Sequence, residues 1–370
     1  RRENTMDPAA DHAQDAQLPE ALGWAILALT LVVMTIVATR LMVHALRAAR
    51  ARGEGRLKDG SGAGARLEVS SKEADSGEEA SCDETVADGQ LSGEWAKRTF
   101  PGQPAGQTQP LASAEELKAV RAIRHAARCE LTAVRSPEVS SDVRILRFLR
   151  GYPAVSEALQ AYRQMLAWRH EHCMDDVCDA VRGKPLEMGA LPNGELLARC
   201  YPATLLVGRT RDGHLVSRDE IGQVDAAYLF RSVGEAKTVT FFLHFLELRA
   251  NLLDSESEAS GQLIQAMQVK DLRGLSLSQV RSADGRRGLA LVRRVLTLAV
   301  KYYPESALTL WVIGSPPFFM LIWRAISTVL PARTLLKFRI LGTNFYPELA
   351  KSLEPELLDA MGYYGNSAAP

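Results

Sequence analysis

The hydrophobic and polar positions divide the chain into three stretches with different patterns. Residues 21–39 are apolar except for threonines, residues 53–112 show no periodicity, and residues 113–365 are periodic. Within the periodic stretch, apolar residues first recur at helical spacing. From about residue 196, short runs rich in β-branched residues alternate with helical segments. This order predicts a helical lobe followed by an α/β lobe.

The helical lobe begins at a helix start signal. Ser113 and Glu116 form a capping box, in which each side chain bonds the backbone N–H of the other residue, and a helix is predicted from there to about Val134. A second helix is predicted over residues 142–150, where four apolar residues share one face and three arginines share the other. The Gly-Tyr-Pro run at 151–153 ends it, and a third helix follows.

The second lobe contains alternating strand and helix patterns. The predicted strands are residues 215–221, 263–269, 308–313 and 338–341. The predicted helices are residues 236–253, 286–302 and 318–330. Such βαβ alternation predicts an α/β sheet with helices packed on it.

The segment 318–330 differs from the other predicted helices because it is apolar on nearly every side. Prolines flank it at positions 316, 317 and 331, and Arg324 is its only charged residue. Such a helix is either buried or covers an apolar cavity, and about 15 residues are short for a membrane span. The pattern therefore leaves two interpretations, a core helix and a lid over a lipid-sized cavity.

Residues 21–39 are long enough to cross a bilayer as a helix. They carry no charge, and about 20 residues span the roughly 30 Å of hydrocarbon. A basic stretch follows over residues 40–58, and basic flanks remain in the cytosol. The pattern predicts a single-pass protein of the endoplasmic reticulum or another endomembrane, with a cytosolic C-terminal domain. A cleaved signal peptide and a buried core helix are the alternatives, and the basic flank either only sets the topology or also contacts anionic lipid headgroups.

These patterns together predict the organisation of the whole chain. A short acidic tail covers residues 1–20, a transmembrane helix covers 21–43, and a basic juxtamembrane stretch with a disordered tether covers 44–112. The tether is rich in Gly, Ser, Glu and Pro, and such a segment buries too little apolar surface to offset its ordering entropy. The helical lobe then covers residues 113–185, and the α/β domain covers residues 190–365.

Composition and missing motifs exclude several classes of protein. The 370 residues contain 44 Lys+Arg and 44 Asp+Glu, and this zero net charge argues against a dedicated nucleic-acid binder. Five cysteines are too few for a disulfide scaffold. His244 lacks a second histidine in zinc-binding register, and no nucleophile-elbow, Walker A or dinucleotide-binding motif occurs. We therefore expect no enzyme activity, no catalytic residue, no metal site and no cofactor.

Five groups of short motifs follow one another along the periodic stretch: Leu146-Arg147-Phe148-Leu149-Arg150 with Trp168-Arg169, Asp271-Leu272-Arg273-Gly274-Leu275-Ser276, Tyr302-Tyr303-Pro304-Glu305, Val312-Ile313-Gly314-Ser315-Pro316 and Ile340-Leu341-Gly342. In their order and spacing they resemble the motifs of the CRAL-TRIO lipid-binding family, whose best-known members transfer phosphatidylinositol and phosphatidylcholine, and the likeness covers about residues 113–365. The resemblance implies a small N-terminal helical lobe followed by a βαβ sheet lobe that encloses an apolar lipid pocket. It also implies that the helix at 316–330 is a mobile gate.

The resemblance further implies a lipid site. Phosphatidylinositol-binding members of the family hold the headgroup with a Glu, a Thr and a Lys, whose positions fall on Glu305, Thr334 and Lys337. A lysine and a threonine could donate to the phosphate, and a glutamate could accept from inositol hydroxyls. For each residue the alternative is a surface ion pair or a polar helix end. The expected gate and pocket residues are Phe318, Phe319, Leu321, Ile322, Trp323 and Ile326.

The chain departs from the family at the choline-headgroup site, where the usual Ser and Thr are replaced by Ala266 and Gln268.

The combined prediction is a membrane-anchored lipid-binding and transfer protein, with a bound phospholipid as its ligand. Its expected partners are the membrane and phosphatidylinositol or a related lipid, with a lipid kinase or small GTPase as a further candidate and no nucleic acid. The alternatives are an interaction module that acts as a membrane adaptor or signalling regulator, and a carrier of another hydrophobic ligand such as a sterol or a tocopherol-like molecule.

Overall fold

The computed structural model describes residues 86–87, 90–91, 93–99 and 110–364. These residues lie in the compact unit Ser76–Pro370. The predicted acidic tail, the predicted transmembrane helix and most of the predicted basic stretch and tether fall outside them. The two predicted lobes are covered almost entirely.

The structure corrects the membrane part of the sequence prediction. Within the described ranges, no helix combines the length and the hydropathy that a bilayer span requires. The predicted span, residues 21–43, lies outside those ranges. We therefore withdraw the separate transmembrane helix, and with it the single-pass endomembrane localisation. The physical reason for the error is that an apolar run of this length does not by itself distinguish a membrane helix from other apolar segments.

The N-terminal part of the described chain is helical. A two-stranded ribbon of β1 (Val86–Ala87) and β2 (Gln90–Leu91) precedes it, together with α1 (Gly93–Lys97). The following helices are α2 (Ala114–Ala126), α3 (Arg128–Leu131), α4 (Asp142–Gly151), α5 (Val155–Glu171), α6 (Met174–Val181) and α7 (Gly194–Ala198), with 3-10 turns at Pro137–Ser140 and Met188–Ala190. The predicted capping box is present at the start of α2. The helix predicted to reach Val134 is instead divided into α2 and α3.

A five-stranded mixed sheet follows, with its strands in chain order. The strands are β3 (Ala203–Arg209), β4 (Leu215–Asp219), β5 (Ala266–Asp271), β6 (Ala307–Ile313) and β7 (Phe338–Ile340). The β3–β4 pair is antiparallel, and the pairs from β4 to β7 are parallel. Parallel neighbours need crossover connections, and helices supply them here. The sheet therefore supports the predicted α/β class.

The helices of this second part cover the sheet and connect its strands. They are α8 (Ala226–Tyr228), α9 (Glu235–Ser260), α10 (Leu277–Arg281), α11 (Ala283–Tyr302), α12 (Phe319–Ser327), α13 (Ala332–Leu335), α14 (Tyr346–Leu349) and α15 (Pro355–Ala360), with a 3-10 turn at Ile221–Gln223 and a π turn at Leu229–Val233. The crossover from β4 to β5 contains α9, that from β5 to β6 contains α11, and that from β6 to β7 contains α12 and α13.

Four of the five strands lie where the sequence predicts them, and one was missed. The predicted strand ends differ from the observed ends by at most three residues. The missed strand is the edge strand β3, whose pairing with β4 shifts register between Thr204 and Gly208. A bulge adds a residue on one side of the ladder, so the period of two on which strand prediction relies is interrupted.

The two faces of the sheet pack against different apolar clusters. One face of β4, β5 and β6 contributes Val216, Met267 and Trp311 to a cluster closed by α14 and α15. The opposite face packs toward the main core and the crossover helices. A third, small cluster has only Leu272, Val312 and Phe319 as its buried members. This small cluster lies beneath α12.

The three arginines of α4 are buried rather than exposed. The carboxylate of Asp254 in α9 accepts from Arg144 Nε at 2.6 Å and from Arg147 Nε at 2.7 Å. The side chain of Arg150 pairs with Glu116 at 2.7 Å. Burial alone would lower the pKa of Arg144, but the facing Asp254 raises it and the net shift is upward. The charged face of α4 is therefore an internal contact to α9 and α2.

Candidate functional site

An apolar cavity of about 320 Å³ lies between the sheet and the crossover helices. Its floor includes Leu310 and Val312 of β6 and Phe338 of β7. Helices α9, α11 and α12 supply the other walls, mainly with aliphatic and aromatic side chains. Ligand cavities are commonly about 300–1,000 Å³, so this volume lies at the small end of that range. A two-chained lipid needs more room, which an outward movement of one wall would supply.

Helix α12 is a wall with few buried contacts to the sheet. Its contact with the sheet consists of the small cluster around Phe319, together with Trp323, whose ring centroid lies 4.7 Å from that of Phe338. Its outer side exposes Met320 at 51% and Leu321 at 65%. Elements with few buried apolar contacts open at lower free-energy cost than the rest of a fold. We therefore expect α12 to move at low cost.

The cavity includes four of the six residues expected to form the gate and pocket. Phe319, Ile322, Trp323 and Ile326 line it. Phe318 and Leu321 do not belong to the lining, and Leu321 faces solvent. The difference arises because α12 is a single helix lying on the cavity, so only one of its sides can face inward.

A charged pair that the sequence did not single out lies at the edge of the cavity. Lys270 and Tyr201 belong to the lining, and both bond the carboxylate of Asp219. The hydroxyl of Tyr201 donates to Asp219 Oδ1 at 2.6 Å. Burial, reinforced by the nearby carboxylate, raises the pKa of Tyr201 well above its ordinary value. The phenol therefore stays protonated as a donor, and Tyr201 and Lys270 add polar groups to a mainly apolar cavity lining.

Two of the three expected headgroup residues, Glu305 and Lys337, are brought together near the start of β6. Lys337 Nζ donates to Glu305 Oε2 at 2.8 Å and to the Ala307 carbonyl at 2.7 Å. Arg333, which the sequence did not mark, approaches Glu305 Oε1 at 3.3 Å. Thr334 lies between the two cations in the chain, and its side chain makes no hydrogen bond with the described residues. We refer to Glu305, Arg333, Thr334 and Lys337 as the polar cluster.

The backbone of Glu305 is held in an uncommon conformation. Its φ of 51° lies in the left-handed region, which costs a non-glycine residue roughly 1–2 kcal/mol. Two buried side chains fix it there, because its carbonyl accepts from Arg147 Nη1 at 2.8 Å and from Gln265 Nε2 at 3.0 Å. The position of the carboxylate is thus set by the same arginine that pairs with Asp254.

The polar cluster and the cavity are adjacent but distinct. Glu305, Thr334 and Lys337 do not belong to the cavity lining. However, Phe338, the residue after Lys337, does line the cavity, and the Lys337 carbonyl accepts from the Leu310 N–H at 2.9 Å. The polar cluster is thus connected to the cavity wall through the backbone of β6 and β7.

The replaced choline-site residues are both buried in β5. Ala266 and Gln268 lie in the middle of the sheet, between β4 and β6. Neither belongs to the cavity lining.

Arg333 and the Lys270–Asp219 pair are the polar residues that sequence reasoning missed. In the sequence, Arg333 is marked only by its position next to Thr334, and that position alone does not identify a binding residue.

Comparisons with known proteins match this chain to one family of domains and to several relatives. The family model described as CRAL/TRIO domain matches residues 201–365. The Sec14 cytosolic factor of Schizosaccharomyces pombe is 24% identical over 266 residues, which are 71% of this chain and 86% of that protein. The phosphatidylinositol/phosphatidylcholine transfer protein SFH7 of Arabidopsis thaliana is 22% identical over 213 residues, 57% of this chain and 37% of that protein. Protein real-time of Aedes aegypti is 25% identical over 200 residues, 54% of this chain and 29% of that protein. The chain thus spans about a third of the length of the last two relatives.

Proposed function

We propose, from the premise that this chain carries a CRAL/TRIO domain in residues 201–365, that it binds a phospholipid and transfers it between membranes. The observation that carries the proposal is the apolar cavity closed by the weakly attached α12. Each buried CH₂ contributes about 0.8 kcal/mol, so acyl chains need an enclosed apolar site while they pass through water. No covalent step and no cofactor are involved, and the bound lipid is the ligand.

Exchange with a membrane takes place through α12. The exposed Met320 and Leu321 give its outer side an apolar surface that can enter a bilayer. In the bilayer this surface is no longer in contact with water, which lowers the cost of lifting α12 from the small cluster around Phe319. The cavity then opens toward the lipid phase. Contact with the membrane therefore supplies the trigger for release and uptake.

The lipid that fits the polar cluster best is phosphatidylinositol. Lys337 can bind its phosphate, and Thr334, which has no side-chain partner among the described residues, can donate to a phosphate oxygen. The carboxylate of Glu305 has more acceptor sites than the contacts with Lys337 and Arg333 use, so it can also accept from inositol hydroxyls. The names of the matched relatives from A. thaliana support this choice, since they include phosphatidylinositol and phosphatidylcholine transfer. A lipid kinase or small GTPase as partner stays a prediction.

The test fills the cavity and measures bound lipid. Gly288 lines the cavity, and a Cβ built there meets no atom within 4 Å, so Gly288→Phe places a ring in the empty space. Gly342 lies outside the cavity lining and also has open space around its Cβ position, so Gly342→Phe is the matched control. The full chain is purified in each form, and extracted lipids are identified by mass spectrometry.

Each outcome of this test has a defined meaning. We expect stoichiometric phosphatidylinositol in the unmodified chain and in Gly342→Phe, and little lipid in Gly288→Phe. Equal lipid in both variants would contradict binding in this cavity. A sterol or tocopherol-like molecule in place of phospholipid would keep the cavity and overturn the headgroup assignment. A chain without lipid would favour the interaction module, in which partner binding survives when the cavity is filled.

A further inference from the structure

Two cations, not one, converge on the carboxylate of the polar cluster. Each oxygen of Glu305 faces one of them, with Arg333 on Oε1 at 3.3 Å and Lys337 on Oε2 at 2.8 Å. One carboxylate therefore balances only one of the two positive charges. The cluster keeps a net charge of one positive unit in the absence of a ligand.

Arg333 is the more accessible of the two cations and has donors to spare. Its side chain is 33% exposed, whereas those of Lys337 and Glu305 are 12% exposed. Its contacts to Glu305 and to the Arg150 carbonyl both use Nη2. Within the described residues, Nε and Nη1 of Arg333 therefore have no acceptor. A guanidinium binds two oxygens of a phosphate through a planar fork of two neighbouring donors, and in Arg333 each such fork combines Nη2 with either Nε or Nη1.

Lys337 has less capacity left than Arg333. Two of its three N–H donors are used by Glu305 and the Ala307 carbonyl, which leaves one for a ligand. A phosphate that enters the polar cluster therefore meets one free donor of Lys337 on the inner side and the unused donors of Arg333 on the outer side. Thr334 lies between these two residues in the sequence, and its hydroxyl is a further possible donor to the phosphate.

We propose that Arg333 is a second phosphate-binding residue and that it selects lipids with an anionic headgroup over zwitterionic ones. This inference rests on the proposed function and adds its specificity. The phosphodiester of an anionic lipid carries one negative charge, which matches the excess charge of the polar cluster. Phosphatidylcholine has the same phosphodiester, but its choline group adds a positive charge, which Arg333 repels inside the polar cluster. On binding, a phosphate oxygen replaces Glu305 Oε1 as the acceptor of Arg333.

The experiment compares two lipids in one measurement. The full chain is incubated with vesicles that contain phosphatidylcholine and phosphatidylinositol, and the ratio of the two lipids bound to the recovered protein is measured. The variant is Arg333→Gln. The matched control is Arg294→Gln, because Arg294 also pairs with a carboxylate, that of Glu235 at 3.1 Å, on the exposed surface. Arg333→Lys tests whether charge alone suffices without the fork.

We expect Arg333→Gln to lower the bound ratio of phosphatidylinositol to phosphatidylcholine about tenfold, in line with the loss of a charge-assisted hydrogen bond. Arg333→Lys should recover part of the ratio, and Arg294→Gln should leave it unchanged. A general weakening of the fold would lower both lipids together and leave the ratio constant, which would overturn the inference.

Two further outcomes separate this inference from the proposed function. If the unmodified chain binds phosphatidylinositol and Arg333→Gln binds it with the same ratio, the inference on Arg333 alone is overturned. If the unmodified chain binds neither phospholipid nor inorganic phosphate, both fail. Inorganic phosphate serves as the soluble probe. If it raises the melting temperature of the unmodified chain but not of Arg333→Gln, while no lipid is bound, the ligand is a soluble phosphate and the lipid assignment is overturned.

Discussion

Replacing Asp254 by alanine should destabilise the protein strongly, because this carboxylate neutralises two buried arginines. The side chains of Arg144, Arg147 and Asp254 are 2%, 3% and 6% exposed. Removal of one partner from a buried ion pair costs about 3–5 kcal/mol, since the other charge stays buried and uncompensated. Here two charges lose their shared partner, so we expect the upper part of that range. Total stabilities are about 5–15 kcal/mol, and the loss is a large share of them.

The measurement is the free energy of unfolding of the full chain in urea at neutral pH, with circular dichroism as the signal. Asp142→Ala is the matched control, because Asp142 pairs with Arg124 on α2 and these side chains are 54% and 36% exposed. Exposed pairs contribute about 0–1 kcal/mol. Asp254→Asn should fall between the two, since it keeps a hydrogen-bond acceptor without the charge. Similar small losses for Asp254→Ala and Asp142→Ala would show that the arginine face of α4 is not held by this carboxylate.

Three further predictions concern the polar cluster, the outer side of α12 and pH. Lys337→Ala should lower phosphatidylinositol loading about tenfold and leave the loading of a neutral lipid unchanged in the same mass-spectrometric assay; equal losses would assign Lys337 to stability. Leu321→Asp should slow lipid transfer between vesicles without lowering the amount of bound lipid, whereas Leu206→Asp, at an exposed leucine on β3, should affect neither; an unchanged transfer rate would exclude membrane entry of α12. Burial lowers the pKa of His214, whose Nδ1 accepts from the Gln265 N–H. The unfolded state therefore binds a proton more readily than the folded state, and the free energy of unfolding should fall as pH drops below about 6.5. His214→Asn should make this fall less steep, and an unchanged dependence on pH would show that other groups cause it.

Local patterns predicted the elements of the fold well. Helices α9 and α11 and the strands β4 to β7 are marked by periodicity, and the start of α2 by its capping box. These signals are local in sequence, so they can be identified without knowledge of the packing. The edge strand β3 was missed because its bulge interrupts the period.

The partners of charged residues were not predictable in the same way. The amphipathic pattern of α4 separates its arginines from its apolar residues, but it does not show what the arginine face contacts. Asp254 lies more than a hundred residues further along the chain, and no local period connects it with α4. Only the packing of α4 against α9 shows that this face is internal.

The candidate site was predicted in part. Motif positions marked Glu305 and Lys337, which the structure brings within 2.8 Å of each other, and their role in lipid binding stays a proposal. Arg333 and the Asp219 pair belong to no motif that the sequence revealed. Their positions depend on where α13 and β4 lie in the fold, which residue spacing does not determine.

The alternation of side chains along β6 has a consequence for how such a protein can diversify. Leu310 and Val312 face the cavity, whereas Trp311 and Ile313 belong to the opposite cluster. Substitutions at the even positions reshape the ligand space without disturbing the packing that holds α14 and α15. New ligand preferences can therefore arise in single mutational steps from a scaffold whose other half is unaffected. An inserted residue within β6 would exchange the two sets of side chains, so diversification should proceed by substitution rather than by changes in strand length.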